Sequence, residues 1–213
     1  MTAMFAALAF AVLWIVRTLP PLFFVPSMPF LKYEPKDTLI VLCGFILGPL
    51  SAAAVSVIVA FLEMITVSDT ELIGMIMNAV SSCIFACSAA LLYRKLRTAS
   101  GAWIGLATGV VSTTAFMLFW NYLIVPIYTG YPRSAVVKLL VPVFLPFNLI
   151  KYSLSAALII LIYKPLVMAL RQTGLVEKSA YRPSLKSSLP AVIGAISLIA
   201  VCVTAVFLLG FYK

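Results

Sequence analysis

The sequence predicts an all-α membrane protein, a bundle of six transmembrane helices followed by a seventh helix at the C-terminus. Of its 213 residues, 64% are hydrophobic and only 10% are charged, and the mean hydropathy is +1.16. A soluble domain is about half apolar and about a quarter charged. The apolar residues form long runs without the alternation of a strand, which favours helices over a β-barrel. We therefore expect a lipid bilayer to surround this chain.

Seven apolar runs define the predicted helices, since a span needs about 20 residues and fewer where a helix is broken or tilted. The Gly48-Pro49 pair predicts a tight turn between the second and third runs. The proline-rich segment 18–36 is too apolar to be merely solvated, so we expect it to fold back onto the protein, and we expect a second loop at 129–141. The runs are 2–17, 37–48, 50–66, 72–93, 102–127, 143–163 and 189–211.

The positive charge indicates an orientation in the membrane. The formal charge is +9, but the 15 Lys and Arg residues are scattered, unlike the dense basic patch of a nucleic-acid-binding protein. With the N-terminus inside, the segments 94–100 and 171–188 carry seven positive residues and the outer loops carry five. We therefore expect a cytoplasmic N-terminus, a retained first helix rather than a cleaved signal, and no nucleic-acid partner.

Strongly polar residues occur at membrane depth in one leaflet. With this orientation, Asn78, Asn121, Asn148 and Lys151 all fall in the outer halves of their helices, and Glu63 falls near an outer helix end, where we expect it to be partly solvated. Polar groups at such depth usually face a cavity or a partner. The pattern predicts a polar pocket that opens to the outside.

The sixth run carries two of these polar residues. Asn148 and Lys151 are three residues apart and so share a helix face, and Pro142 and Pro146 should loosen the turns before them. The alternative is that the amides act as hydrogen-bonding contacts between helices and that Lys151 pairs with Glu63. For Asn78 both interpretations stay open.

Other residue types limit the possible functions. The chain has no histidine, which removes the usual general base near neutral pH and histidine-based metal sites, and its four cysteines lie in apolar runs where packing is the expected role. No catalytic constellation is apparent, so we expect a binding protein rather than an enzyme and no metal site. Ala3, Ala7 and Ala11 repeat every fourth residue on the first helix, a spacing that allows close approach of another helix.

Several segments together resemble a known family. They are AMFAA at 3–7, FLKYEPKD at 30–37, GFILGPL at 44–50, MIMNAV at 75–80, FWNYLIVPIY at 119–128 and LPFNLIK at 145–151. In these segments the chain resembles the substrate-binding S components of energy-coupling factor (ECF) transporters, in particular the riboflavin-specific type. The resemblance covers residues 1–172 and implies a six-helix domain in a prokaryotic cell membrane.

The resemblance implies a function and a set of partners. It implies high-affinity riboflavin binding for ATP-driven uptake, with a membrane scaffold subunit that docks on the first helix at Ala3 and Ala7, two ATPase subunits, and no cofactor in this chain. The implied flavin contacts are Asn121, Asn148 and Lys151, and Asn78 is a further candidate from its membrane depth alone. The folded-back loop would cover the ring through Phe30, Leu31 and Tyr33.

Alternatives to this function remain at the level of the sequence. The chain could be an S component for another vitamin or heterocycle, because pocket changes on one fold alter specificity. The alternatives from a different functional class are a membrane-embedded enzyme and a structural assembly factor. Beyond the six-helix pattern, we expect a cytoplasmic linker at 173–188 and an accessory transmembrane helix at 189–213.

Overall fold

Eight α-helices and a small β-hairpin make up the part of the chain that the computed structural model describes, residues 1–19, 24–25, 28–67, 71–96, 98–172 and 185–211. The hairpin follows the first helix, and a π-helical turn at Leu140–Phe144 joins α6 to α7. The elements are α1 (Thr2–Thr18), β1 (Phe24–Val25), β2 (Met28–Lys32), α2 (Lys36–Leu47), α3 (Pro49–Thr66), α4 (Glu71–Leu96), α5 (Ala99–Thr129), α6 (Arg133–Leu139), α7 (Leu145–Gln172) and α8 (Leu185–Leu209).

The membrane helices agree with the predicted helical bundle. Among the described residues, five helical stretches are long and apolar enough to cross a bilayer, and they comprise α3, α4, α5, the continuous stretch from α6 to α7, and α8. The helix α1 has 17 residues and α2 only 12, so α2 is about 18 Å long against a hydrocarbon core of about 30 Å. The prediction of an all-α membrane bundle is confirmed, and the seven apolar runs are helical over most of their length.

Local sequence explains where several helices begin and end. Leu19 is extended, as expected for a residue that precedes proline. The predicted tight turn forms between α2 and α3, where Gly48 takes a positive φ of 100° and Pro49 occupies the first helical position. The Thr98 side chain caps α5 by accepting a hydrogen bond of 2.9 Å from the Gly101 amide, and Gly130 ends α5 in the left-handed conformation.

The prediction of a loop at 129–141 is wrong, because most of this segment is helical. Pro132 stands just before α6, a position where its missing N–H costs nothing, and Val136 is fully buried. Pro142 and Pro146 also lack the N–H of a regular helical hydrogen bond. The chain accommodates them through the π-helical turn, which loosens the start of α7 as the sequence predicted.

Small residues allow the central helices to pack closely. A Cβ atom added to Gly105 would lie 2.7 Å from the carbonyl oxygen of Ala89, and one added to Gly109 would lie 2.9 Å from the Phe85 ring. This contact between α4 and α5 is of the kind that drives helix association in lipid. The thiols of Cys83 and Cys87 lie against α3 carbonyl oxygens, which agrees with the packing role expected for them.

The segment before α2 folds back onto the bundle, as predicted, and forms the β-hairpin at its tip. We call the end of the bundle where α1 ends and α2 begins the hairpin end. Val25, Met28, Leu31 and Tyr33 are all buried there. They share one apolar cluster, the hairpin cluster, with residues of α5, α6, α7 and α8 and of the π-helical turn. The hairpin is therefore an integral part of the packed structure.

Candidate ligand-binding site

A partly open cavity of about 540 Å³ lies at the hairpin end of the bundle. Elements from the whole bundle form its wall, including the end of α1, the strand β2 and the helices α4, α5 and α7. Its apolar surface includes Phe30, Leu31 and Phe147, and its polar surface includes Asn148 and Lys151. The wall is polar and apolar in about equal parts, and a concave space on which polar groups converge is typical of a small-molecule site.

A second cleft, of about 300 Å³, adjoins this cavity. Asn121 and Trp120 of α5 line it, and Phe30 and Met77 line both spaces. The Phe30 ring meets the Tyr128 ring edge to face, with centroids 6.0 Å apart. Phe30 and Met77 thus form the partition between the two spaces, and Phe30 connects the hairpin to the end of α5.

Asn121 has an unusual environment. Its side chain is completely buried, and neither the amide oxygen nor the amide nitrogen has a hydrogen-bond partner within the described part of the chain. A buried polar group without a partner costs about 1–3 kcal/mol. The amide has one acceptor and two donors without partners beside the cleft, so Asn121 is a candidate for binding a polar group.

Asn148 and Lys151 face the main cavity from the first turns of α7. The Asn148 side chain donates a hydrogen bond of 2.7 Å to the carbonyl oxygen of Phe144 in the π-helical turn. The Lys151 ammonium lies 5.6 Å from the centroid of the Tyr152 ring. Among the described residues, no carboxylate lies within 4.0 Å of that ammonium. Lys151 therefore brings a positive charge to the cavity wall, and the alternative pair with Glu63 does not form.

Four charged residues beside the cavity form a group that we call the ion-pair network, in which Glu34, Lys36 and Glu63 are buried and Arg17 is partly buried. Arg17 of α1 binds Glu34 at 2.6 Å and Glu63 at 3.1 Å, and Lys36 of α2 binds Glu34 at 2.8 Å and also binds Glu63. Asn78 of α4 adds a hydrogen bond of 2.9 Å to Glu63. The two positive and two negative charges balance, which is the condition for burying ions at tolerable cost.

The ion-pair network changes the expected environment of Glu63. The sequence did not predict this network. Glu63 is only 1% exposed, so the expectation that it is partly solvated is wrong. The reason is that Arg17 ends α1 and Lys36 begins α2, which places both side chains beside it. The KYEPK run at 32–36 alternates charge, but nothing in its local pattern identifies Glu63 as the distant partner.

Glu34 links this network to the cavity. Burial by itself raises the pKa of the Glu34 carboxyl, but the positive charges of Lys36, Arg17 and Lys151 outweigh burial and lower that pKa. Glu34 is therefore ionised at neutral pH. Three residues further along the chain, Asp37 accepts a hydrogen bond of 2.5 Å from Ser82, which joins α2 to α4. The ion pairs of Glu34 with Arg17 and Lys36 thus hold the loop between β2 and α2 in place.

The remaining predicted site residues fall in different places. Phe30 and Leu31 line the main cavity, whereas Tyr33 is buried in the hairpin cluster near Ser155 of α7. Asn78 lines the cavity and donates a hydrogen bond to Glu63, so the contact between helices forms, and the ligand-binding role of Asn78 stays a prediction. Ala3 and Ala7 lie far from the cavity, near the opposite end of α1, and are exposed.

The fold and the cavity are those of a helical membrane protein with a candidate site for a small molecule. The sequence model of the ECF transporter substrate-specific component matches residues 1–163, and the chain belongs to this family. The family consists of transporter components and not of enzymes. Residues 1–163 contain the whole cavity wall described above.

Two comparisons refine this relationship. The chain is 32% identical over 136 residues to the riboflavin transporter FmnP of Bacillus subtilis (strain 168), a match that covers 59% of this chain and 72% of that protein. A solved structure of the S component of a bacterial ECF transporter matches with a TM-score of 0.66 at 24% identity. That match covers 80% of this chain and 95% of the other. The second likeness shows a shared fold.

Proposed function

We propose that this chain binds riboflavin outside the cell and supplies it to an ATP-driven ECF transporter. The observation that carries the proposal is the buried, unpartnered amide of Asn121. Only the partition of Phe30 and Met77 separates its cleft from the cavity that Asn148 and Lys151 line. The likeness to the riboflavin transporter FmnP supports the choice of ligand.

The chemistry of these three side chains suits a flavin. The pyrimidine edge of the isoalloxazine ring presents carbonyl acceptors beside an N–H donor. Amides at Asn121 and Asn148 supply both donors and acceptors, and Lys151 supplies a charge-assisted donor for a carbonyl oxygen. The rest of the flavin ring is apolar and flat, and Phe30, Leu31 and Phe147 offer it apolar surface.

Binding requires a rearrangement of the partition. A ring that contacts Asn121 and Lys151 together occupies parts of both spaces, which Phe30 and Met77 now separate. We propose that the hairpin moves Phe30 aside when the ligand enters and that Phe30 and Leu31 then cover the ring. The ligand thereby replaces an intramolecular contact, and the hairpin acts as the cover of the site.

The orientation and the partners complete the proposal. The hairpin end faces outward and the N-terminus is cytoplasmic, which places Arg94 and Lys95 inside. The exposed Ala3 and Ala7 form a face on which a membrane scaffold subunit docks. Two ATPase subunits on that scaffold hydrolyse ATP, and this chain needs no cofactor of its own.

A thermal-shift panel on the purified protein in detergent tests the ligand. Riboflavin at micromolar concentration should raise the melting temperature, because a ligand that binds only the folded state stabilises it. Other vitamins should raise it less. A larger shift with a different heterocycle, or no shift with riboflavin, would contradict the proposal.

Substitution of Lys151 tests the site. Lys151→Met keeps the apolar stem and removes the charge, so riboflavin affinity should fall about 10- to 100-fold in a titration of flavin fluorescence. Lys138→Met is the matched control, because Lys138 is exposed on α6 at the same end of the bundle. Equal affinity of the two variants would exclude Lys151 from the site.

A further inference from the structure

The helix α8 packs against the ligand-binding part of the protein, although it lies beyond the residues that the family model matches. Its last turns bury Cys202, Val206 and Phe211 in the hairpin cluster, where they join Met28 and Leu31 of the hairpin. The opposite face of α8 exposes large apolar side chains, as a lipid-facing surface does. One face of this helix therefore packs specifically on the site.

The end of α8 turns Phe211 inward. Gly210 takes a left-handed φ of 69°, its amide donates to the Phe207 carbonyl at 3.3 Å, and the Phe211 amide donates to the Val206 carbonyl at 3.1 Å. This is the hydrogen-bond pattern of a Schellman motif, which brings the residue after the glycine back against the helix. Phe211 is only 4% exposed, whereas Leu208 is 82% exposed.

The Phe147 side chain lies between Phe211 and the cavity. Its ring meets the Phe147 ring at 62°, with centroids 6.3 Å apart, and Phe147 lines the cavity on the same helix as Lys151. Leu31 belongs to the same cluster and lines the same cavity. Phe211 therefore supports the α7 part of the cavity wall from behind, and it belongs to the same apolar cluster as the hairpin residue Leu31.

We propose that α8 holds the hairpin closed over the bound ligand and that Phe211 is a positioning residue for this closure. The inference rests on the proposed function where it concerns riboflavin. Loss of the Phe211 ring leaves space behind Phe147 and loosens the cluster that holds Met28 and Leu31, so the hairpin should open more often. Opening limits escape of a covered ligand, and the effect should appear mainly in the dissociation rate.

The first experiment compares Phe211→Ala with Leu208→Ala, which removes an exposed side chain of the same helix. Riboflavin dissociation, followed by recovery of flavin fluorescence after stopped-flow dilution, should be about five- to tenfold faster in Phe211→Ala and unchanged in Leu208→Ala. Equal dissociation rates in Phe211→Ala and the wild type would overturn the proposal.

Hydrogen exchange separates this inference from the riboflavin assignment. In the ligand-free protein, amide exchange in residues 28–33 should be about threefold faster or more in Phe211→Ala than in Leu208→Ala. Unchanged exchange would overturn the role of α8 whatever ligand the protein binds. If instead the wild type binds no flavin, the proposed function fails, and the exchange result alone decides on α8.

A backbone variant covers the case in which Phe211→Ala does not fold. A Cβ at Gly210 would meet nothing within 4 Å, so Gly210→Ala acts only by disfavouring the left-handed turn that directs Phe211 inward. It should accelerate exchange in residues 28–33 in the same direction as Phe211→Ala. Exchange equal to that of the wild type would contradict the proposal.

Discussion

Asn121 differs from the other amides of the site in having no partner. Asn148 bonds the Phe144 carbonyl and Asn78 bonds Glu63, whereas both polar atoms of the Asn121 amide are unpaired within the described part of the chain. More than nine in ten buried polar groups are paired in folded proteins. The unpaired amide therefore costs stability in the unliganded protein, and a ligand that bonds the amide would remove this cost.

This cost gives Asn121→Leu two opposite effects. Leucine has a similar volume and no polar atoms, so the unliganded variant should be as stable as the wild type or up to about 1–3 kcal/mol more stable. Its riboflavin affinity should fall at least about tenfold, because the ring loses a hydrogen-bonding partner. Thermal unfolding in detergent and a fluorescence titration measure the two effects.

Asn78→Leu is the matched control, since it removes an amide that has a partner. Its loss takes a hydrogen-bond donor from buried Glu63, so the unliganded protein should be destabilised by about 1–3 kcal/mol. If Asn121→Leu destabilises the unliganded protein as much as Asn78→Leu does, the Asn121 amide has a structural partner and is not reserved for a ligand.

At the scale of elements, the ion-pair network joins the segment that follows the hairpin to three helices that pack in a different apolar core. Arg17 lies in the last turn of α1, Glu34 in the loop after β2, Lys36 at the start of α2 and Glu63 on α3. Each carboxylate meets both cations. The network therefore sets the position of the hairpin relative to three helices.

Glu63→Gln tests this role. The substitution keeps the shape of the side chain but leaves the buried Lys36 and the partly buried Arg17 with one carboxylate, so the protein should lose about 3–5 kcal/mol of stability. Glu71→Gln, at an exposed position at the start of α4, should lose little. Equivalent denaturation midpoints for the two variants would show that the network does not hold the hairpin end together.

The sequence predicts the helices of this protein well and the hairpin end poorly. Hydropathy locates the long helices because a bilayer demands long apolar runs. The hairpin and the ion-pair network depend on contacts between distant residues, such as Lys36 with Glu63, that no local pattern specifies. The helix α6 was missed because the prolines around it favour a loop, whereas the structure places them where a helix tolerates them.

The candidate site was predictable in part for the same reason. Membrane depth and the three-residue spacing identify Asn148 and Lys151, which the structure places on one cavity wall. Asn121 was also singled out by depth, but its separation from that cavity depends on Phe30, a residue of the hairpin. Tyr33 lies two residues from Leu31 yet is buried in the hairpin cluster rather than on the cavity wall.

At the scale of the whole molecule, the charges of the first loop bear on the proposed orientation. Arg17 and Lys36 are two of the positive residues that the sequence assigns to the outer loops. Positive residues in outer loops argue against a cytoplasmic N-terminus. Both are paired with buried carboxylates in the structure. The remaining positive residues favour the proposed orientation more strongly than the sequence count does.

The proposed docking face predicts a separation of transport from binding. Ala7→Arg places a long charged side chain on an exposed face of α1 far from the cavity, so uptake of riboflavin by cells should be lost while affinity in detergent is unchanged. Ala107→Arg places the same side chain on an exposed face of α5 and should leave uptake largely intact. Loss of affinity in Ala7→Arg, or equal loss of uptake in both variants, would contradict docking at this face.

Mass spectrometry of the ligand released from the wild-type protein, purified from cells supplied with riboflavin, measures most directly whether this site holds a flavin. Denaturation should release riboflavin in an amount close to one molecule per chain, and far less from Asn121→Leu purified in parallel. Release of a different heterocycle, or of equal amounts of riboflavin from both proteins, would contradict the proposed function.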